Sequence, residues 1–325
     1  MLSFSIVRRA LLAIFLSCVL LIAPDTIACS VCLAGDPRFS SNGATAQEAG
    51  SVTAYLEFQA WRKTSGLLPE DGVVEEGREV NQSGALNLYL NWTPIDRVTL
   101  TLTTPYKFNA IIEEPAEEGR SRSTLSGFGD LSLLASAVIW RDRDVLPATW
   151  VEARVFGKFP TGQKSQRVDG NIDPHLQLGT GSWDWGLGVA GAHRLDWASL
   201  YASLFWRWNN HGALHYQYGD VGLANLGIET PLGHVLGVAG LDALVPGLEL
   251  NFRYAGYDEF EDARYVDSGG SVLYLTPSFR VSLPWLEGRR APSVRLAVQL
   301  PLGQSWLHNQ QHEGVTWSFG LLAPF

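Results

Sequence analysis

The sequence predicts an all-β fold, a single transmembrane antiparallel up-and-down β-barrel of about 12 strands that follows a cleaved signal peptide. Three observations lead to this prediction. Apolar and polar residues alternate through most of the chain, the alternating stretches are long, and tryptophan gathers at their ends. Strict alternation is typical of a strand that has one apolar and one polar face.

The N-terminal segment is expected to be a cleaved signal peptide. Two arginines precede an apolar run, 10–22, that is too short for a comfortable transmembrane helix. Cleavage after Ala28 divides the chain into a signal peptide (1–28), a periplasmic tail (29–50) and a barrel (51–325). The expected location is the outer membrane of a Gram-negative cell, with both termini on the periplasmic side.

Twelve strands are predicted in the mature chain. They lie at 52–62, 81–92, 97–108, 128–140, 149–160, 183–194, 197–208, 220–232, 247–258, 270–283, 292–303 and 314–325. The glycine-rich, apolar segment 233–246 either extends its neighbouring strands or forms a small hairpin, and fourteen strands is the alternative count.

Alternation alone does not say which face is buried, because a soluble sandwich hides its apolar face and a membrane barrel turns it to lipid. Length favours the barrel, since a globular strand has about five or six residues and a tilted membrane strand about 9–11. Long polar connections also alternate with shorter ones, as in membrane barrels.

The tryptophans predict an aromatic girdle at each membrane interface, because an indole ring has an apolar body and one polar N–H. One group lies at the short-turn ends of strands: Trp92, Trp140, Trp150, Trp197 and Trp285. The other lies near the long-loop ends: Trp61, Trp183, Trp185, Trp206, Trp208, Trp306 and Trp317. By parity, Trp61 falls on the lumen side, so the prediction concerns depth and not the direction of every ring.

The last strand ends the chain at Phe325. An alternating strand closed by a terminal phenylalanine looks like the signal that barrel-assembly machinery reads. Closure itself follows from lipid chemistry, since an open sheet edge leaves unpaired N–H and C=O groups in hydrocarbon. The expected partners are therefore outer-membrane lipid, lipopolysaccharide and the assembly machinery.

The net charge and the absence of catalytic motifs argue against two classes of protein, nucleic-acid binders and enzymes. Lys and Arg number 24 against 33 Asp and Glu, a formal net charge of -9, and an acidic chain without a basic stripe is a poor nucleic-acid binder. No G-x-S-x-G motif occurs, and inward carboxylates are too widespread to single out an acid–base couple. The chain is not expected to be an enzyme.

Strand parity predicts a lumen lined by charges of both signs. The lumen-lining residues are Glu57, Arg97, Asp130, Glu152, Arg154, Lys158, Arg207, Glu229, Glu249, Arg253, Arg280 and Arg295. Two compatible interpretations stay open: a salt-bridged network that braces the wall, or a polar conduit whose charges filter solutes.

Three short motifs support a family resemblance. Gly127-Phe128-Gly129-Asp130-Leu131 opens a strand, Phe159-Pro160-Thr161-Gly162 closes the next, and 175–182 (HLQLGTGS) ends the following loop. Their order and spacing resemble the outer-membrane transporter barrels grouped with the phenol meta-degradation pathway (MetA-pathway type). The resemblance implies an outer-membrane channel, often assumed to serve small hydrophobic or aromatic molecules.

The residues also offer their own account of these motifs. Glycines 127 and 129 permit close backbone approach, and Asp130 is expected to project inward towards a cation on a neighbouring strand. Rim turns that set strand register and a binding role are the two alternatives.

A metal-handling role is a second hypothesis. Acidic clusters in the outer loops (Glu70, Asp71, Glu75, Glu76 and Glu79; Glu113, Glu114, Glu117 and Glu118; Asp258, Glu259, Glu261 and Asp262) either solvate the loops or capture divalent cations. His211 and His215, and likewise His308 and His312, are four residues apart. Otherwise no cofactor is expected.

The tail carries a Cys-x-x-Cys motif at Cys29 and Cys32. Three roles are open for this pair. In an oxidising periplasm the two cysteines can form a small-loop disulfide, or they can act as a soft-metal or redox site. Alternatively, Cys29 can carry a lipid at the start of the mature chain. The tail is expected to fold into the lumen or to bind a periplasmic partner.

Taken with the barrel, these features predict a passive or gated channel or transporter for small molecules. The substrate and the direction of transport are not predicted. The alternatives are a metal-handling barrel and a structural barrel with a blocked lumen.

Overall fold

A computed structural model describes residues 49–65, 78–114, 121–167, 174–238, 240–265, 268–283, 291–306 and 312–325. Several predictions fall outside these residues: the signal peptide, Cys29 and Cys32, Trp285, His308, and most of the acidic residues between 66 and 120.

The regular secondary structure of the described residues is almost entirely β-strand. The strands are β1 (Val52–Ser65), β2 (Arg78–Ile95), β3 (Val98–Glu114), β4 (Ser121–Phe128), β5 (Leu131–Arg141), β6 (Thr149–Phe159), β7 (Asp184–Arg194), β8 (Ser199–Trp208), β9 (Tyr216–Gln217), β10 (Val221–Glu229), β11 (Leu244–Ala255), β12 (Asp258–Phe260), β13 (Ala263–Tyr265), β14 (Gly270–Ser282), β15 (Ser293–Trp306), β16 (His312–Glu313) and β17 (Thr316–Pro324). One short helix, α1 (Leu232–Leu236), and two 3-10 turns, Pro174–Leu176 and Ala213–His215, complete the described elements.

Twelve strand positions close into an antiparallel barrel. The wall runs β1-β2-β3-β5-β6-β7-β8-β10-β11-β14-β15-β17, and β17 pairs back onto β1 from Thr53↔Pro324 to Ala60↔Trp317. Strand β4 shares a position with β5, because both pair with β3: β4 with residues 106–113 and β5 with residues 98–103. The predicted count of twelve is confirmed.

The apolar face of the wall is its outer face. On β11, Leu248, Leu250 and Phe252 are 40–44% exposed, whereas Glu249 and Asn251 between them are only 1–2% exposed. A sandwich would bury the leucines and expose the glutamate, so the structure excludes that alternative. An apolar exterior around a polar interior is the arrangement of a membrane barrel.

The tryptophans divide by direction. Those exposed at the short-turn end are Trp92, Trp140 and Trp197, and those exposed at the other end are Trp183, Trp185, Trp206 and Trp317. Trp61 and Trp150 are instead buried on the interior side, 8% and 3% exposed, so they belong to no lipid-facing surface. The girdle itself stays a prediction about depth in a bilayer.

Connections differ at the two ends of the barrel. At the long-loop end, β9, β12 and β13 form a small separate sheet. At the short-turn end, helix α1 follows β10 and β11 begins at Leu244, so the described residues of 233–246 form a helical turn and a strand extension and not a hairpin. None of the helices among the described residues is long and apolar enough to span a bilayer.

Two leucines test which surface contacts lipid. Leu204 on β8 and Leu236 at the end of α1 are each 60% exposed, but only Leu204 lies within a wall strand. We expect Leu204→Lys to lower the free energy of unfolding in phospholipid vesicles by about 2–4 kcal/mol, since a charge on the lipid face is costly at mid-bilayer depth. Leu236→Lys, the matched control, should change it by less than about 1 kcal/mol. Equal losses in denaturant titrations would contradict the assignment of the outer face.

Candidate functional site

The interior of the barrel holds nearly all the charged residues that parity assigned to it. Those that are buried there are Glu57, Asp130, Glu152, Arg154, Lys158, Arg207, Glu249, Arg253 and Arg295. Glu229 and Arg280 are partly buried on the same face, and they pair with each other at 2.8 Å. Whether these residues line a conduit is part of the proposal below.

Arg97 is the exception. It lies in the tight turn between β2 and β3 with a φ of 71°, and its side chain is 42% exposed. Its guanidinium is 3.0 Å from Asp144 in the next short turn, so Arg97 lies at the short-turn end of the barrel and not on the interior wall. The prediction that Arg97 lines the lumen is wrong because the alternation of a strand does not continue through a turn.

One side of the interior is a polar wall built by β1, β11, β14, β15 and β17. Arg295 donates to Glu249 at 2.9 Å, and Glu57 accepts from Gln59 at 2.9 Å and from Tyr55 at 3.3 Å. Each strand contributes its inward residue at matching register, which is why charges that are distant in sequence meet. Mutual pairing lets these carboxylates and guanidinium groups remain buried.

The opposite side of the interior is partly apolar, which the sequence analysis did not predict. Five large inward residues of β5, β6, β8 and β10 form a buried cluster: Leu134, Phe156, Phe205, Val221 and Leu223. Next to this cluster, Arg154 donates to Glu152 at 2.6 Å. A signal was present in the sequence, because β8 and β10 carry apolar residues on both faces, which strict alternation does not explain.

The described residues 174–182, in the connection between β6 and β7, fold into the barrel. Leu176 and Leu178 are 2% and 0% exposed, and the backbone of the segment is held by inward side chains of β3. Asn109 donates to the carbonyl of Leu176 at 3.1 Å, and Lys107 donates to that of Leu178 at 2.7 Å. The segment 174–182, called here the inner segment, therefore occupies part of the interior.

Asp130 anchors the inner segment to the wall. Its carboxylate accepts from the backbone N–H of Gly162 and of Thr180, both at 2.9 Å, and from the Thr180 hydroxyl at 3.1 Å. Lys158 lies 3.0 Å from Asp130 and 2.8 Å from Asp184. We call Asp130, Lys158, Gly162, Gly179 and Thr180 the latch.

Two glycines make the latch sterically feasible. A Cβ on Gly179 would lie 2.6 Å from Asp130 Oδ1, and one on Gly162 would lie 2.9 Å from the Cα of Gly179. Contacts this short leave no room for any side chain, so two backbone segments meet here only because both residues are glycine.

The latch unites the three motifs of the sequence analysis. Asp130 comes from the first motif, Gly162 from the second, and Gly179 and Thr180 from the third. The expectation that Asp130 points to a cation on the next strand is confirmed by its contact with Lys158. The motifs are therefore not separate rim turns, because together they fix one loop inside the barrel.

A second buried ion cluster lies at the long-loop end. Glu313 on β16 contacts Arg253 and lies 2.7 Å from Lys63, and all three residues are buried. Burial alone would raise the pKa of the Glu313 carboxyl, but the positive charges of Arg253 and Lys63 outweigh it and hold that pKa below its ordinary value.

The described histidines and acidic residues of the outer loops do not converge. The imidazole of His211 lies 3.6 Å from Asp262, and both side chains are exposed, while His215 lies in the 3-10 turn and His312 in β16. Asp258 accepts from Tyr216 and from the backbone of Gly219, so it supports the small outer sheet. Among the described residues, no three His, Cys, Asp or Glu side chains form a group that would hold a metal ion.

Filling one glycine should release the inner segment. In Gly179→Ala the new methyl group collides with Asp130, and the loss of buried hydrogen bonds costs roughly 1–3 kcal/mol. We expect trypsin cleavage after the exposed Lys164 to rise about tenfold in the folded protein. Gly157→Ala on β6 is the control, because a Cβ there meets nothing within 4 Å. Equal cleavage of the two variants would contradict the latch.

The Glu313 cluster predicts an acid-sensitive contribution to stability. Because its pKa is lowered in the folded state, the contribution is complete above the ordinary value of 4.5 and is lost as pH falls through the folded value. Glu313→Gln should cost about 3 kcal/mol at pH 7, and the difference from the native sequence should shrink as unfolding is measured towards pH 3. Glu261→Gln, at an exposed position, serves as the control. A pH-independent difference would contradict the ion cluster.

Comparisons with known proteins agree with the fold. No protein-family model and no curated protein matches the sequence. The structure is similar to the COG4313 outer membrane channel from Pseudomonas putida F1, with a TM-score of 0.62 at 16% identity over 88% of this chain and 99% of that one. It also matches the translocator domain of the autotransporter NalP from Neisseria meningitidis, with a TM-score of 0.48 at 14% identity over 88% and 92% of the chains.

The likeness to the COG4313 channel shows the fold alone, because the two sequences are only 16% identical. The comparisons do not support the phenol meta-degradation name, which stays a prediction from the three motifs. The chain has the fold of an outer-membrane β-barrel.

Proposed function

We propose that the protein is an outer-membrane channel that passes small molecules through the interior of its barrel, with the inner segment as a gate. The observation that carries this proposal is a closed wall of twelve positions whose outer face is apolar and whose interior holds paired charges. A barrel of this size encloses more space than an eight-stranded one, whose side chains fill it.

The likeness to the COG4313 outer membrane channel supports the proposal at the level of fold. Function does not follow from fold, so the proposal depends on the side chains inside the barrel. The polar side chains face the interior and not the lipid, and there they would keep water along a path for solutes. Outer-membrane location, contact with lipopolysaccharide and recognition of Phe325 by the assembly machinery belong to the same proposal.

The latch gives the channel a means of gating. The inner segment lies across part of the interior and is held by hydrogen bonds to Asp130, Lys107 and Asn109 and not by a continuous strand. Segments held by a few polar contacts open at lower free energy than the strands around them. Movement of the inner segment would widen the path without breaking the wall.

Conductance in planar bilayers tests the channel. We expect steps of conductance for the native protein and larger or more frequent openings for Asp130→Asn, since the amide cannot accept all the hydrogen bonds and loses the ion pair with Lys158. Asp196→Asn, at an exposed position in a short turn, should behave as the native protein does.

A folded barrel that conducts neither as the native protein nor as Asp130→Asn would contradict the proposal. That result would favour the alternative of a structural barrel with a blocked lumen. Faster migration of the unheated protein on a mild gel would show that the samples are folded.

A further inference from the structure

The connection between β8 and β10, residues 209–219, lies against the inner segment at the long-loop end, and we call it the strap. The backbone N–H of Ala213 donates to the carbonyl of Thr180 at 2.9 Å, and the Tyr218 hydroxyl donates to the carbonyl of Pro174 at 2.9 Å. Pro174 begins the inner segment and Thr180 lies near its end, so the strap is bonded to both ends of that segment.

Two glycines let the strap and the inner segment touch along their backbones. A Cβ on Gly212 of the strap would overlap the carbonyl oxygen of Thr180. A Cβ on Gly181, which has a φ of 75°, would lie 2.7 Å from the backbone nitrogen of Ala213. Backbones this close leave no free space between the two segments, so one can be displaced only if the other moves or the contact breaks.

The strap also binds a carboxylate that shares its cation with the latch. The backbone N–H of Asn210 donates to Asp184 at 3.0 Å, and Asp184 lies 2.8 Å from Lys158. Lys158 is the residue that pairs with Asp130. The strap and the latch are therefore joined through one group of buried charges.

The strap is at the same time part of the small outer sheet. Its strand β9 pairs with β12 over residues 216–217 and 259–260. Asp258 on β12 accepts from the Tyr216 hydroxyl and, at 2.7 Å, from the backbone N–H of Gly219. The outer sheet thus ties the strap to the connection between β11 and β14.

The outer sheet reaches the solvent, whereas the strap's contact with the inner segment is buried. Phe260 is 42% exposed, and Glu261 and Asp262 are exposed in the turn between β12 and β13. Tyr218, which bonds to Pro174, is only 8% exposed. A continuous series of contacts therefore leads from an exposed hairpin to the inner segment, and such a series can carry energetic coupling.

We propose that the strap and the outer sheet form one lid over the inner segment, so that the inner segment opens only when the lid is displaced. The inference rests on the proposed channel function, in which the inner segment is the gate. It makes the exposed outer sheet a place from which the gate is controlled.

Two substitutions test the lid without touching the latch. Tyr218→Phe keeps the ring and removes the bond to Pro174, and Asp258→Asn weakens the bonds between the outer sheet and the strap. Each should raise trypsin cleavage after Lys164, whose side chain lies beside Gly181, about fivefold in the folded protein. Each should also raise the open fraction in planar bilayers by a similar factor.

Matched controls make the same chemical changes elsewhere. Tyr254→Phe lies on β11, where the ring stacks on Trp206, and Asp262→Asn changes an exposed carboxylate in the same loop as Asp258. Both controls should leave the cleavage and the open fraction at the native level.

Amide hydrogen exchange tests whether the lid and the inner segment open together. Asp130→Asn should accelerate exchange about tenfold in residues 174–182, because the latch is weakened. We expect the same factor in residues 209–219, since segments that share one opening exchange together. Acceleration in 174–182 alone would overturn the lid and leave the gate standing.

The outcomes separate the lid from the channel. Native cleavage in Tyr218→Phe or in Asp258→Asn, under conditions in which Gly179→Ala raises cleavage, would overturn the lid but not the gate. Raised cleavage in both variants without conductance from a folded barrel would overturn the channel, and with it the control of a gate by the lid.

Discussion

The structure depends on the need to satisfy every backbone hydrogen bond inside a bilayer. Hydrocarbon offers no partner to an amide, so the first and last strands must pair, and β1 meets β17 over eight consecutive residue pairs. Closure then fixes the direction of every side chain: alternate residues face lipid or the interior. Charged side chains inside the barrel are less hydrated than charges on an open surface. Because a buried charge is costly unless it is paired, these side chains form the ion pairs of the polar wall.

The same constraint explains where the inner segment enters. The wall position next to β3 is divided between β4 and β5, and the break falls at Gly129 and Asp130. A break leaves local backbone groups without ladder partners. The backbone N–H of Gly129 donates to Pro105 at 2.9 Å, and Asp130 binds the backbone of Gly162 and Thr180. The break between β4 and β5 therefore lies where the inner segment enters the interior, and it also supplies Asp130, which binds that segment.

Much of the fold could be predicted from the sequence, because alternation with a period of two is a local property. All twelve predicted strands overlap a wall position, and the faces of β1 and β11 follow from parity. Arg97 was misplaced because its turn interrupts the alternation. The small outer sheet was missed because strands of two or three residues leave no periodic signal.

The site was harder to predict than the fold. Each motif of the latch could be recognised in the sequence. The contact between Asp130 and Lys158 could be expected, because the two residues lie on adjacent strands. The meeting of Gly162 with Gly179 could not be predicted, because it depends on a loop that turns inward, and alternation says nothing about loops. The polar wall likewise depends on the register of five strands at once, and one sequence does not fix register beyond neighbouring strands.

In a membrane barrel, the outer face of the wall contacts lipid and the inner face does not. Spin labels placed singly at residues 248–253 of β11, in protein reconstituted into vesicles, test it most directly by their accessibility to oxygen, which concentrates in the acyl chains. We expect high accessibility at 248, 250 and 252 and low accessibility at 249, 251 and 253. A uniform profile, or one with the opposite phase, would contradict it.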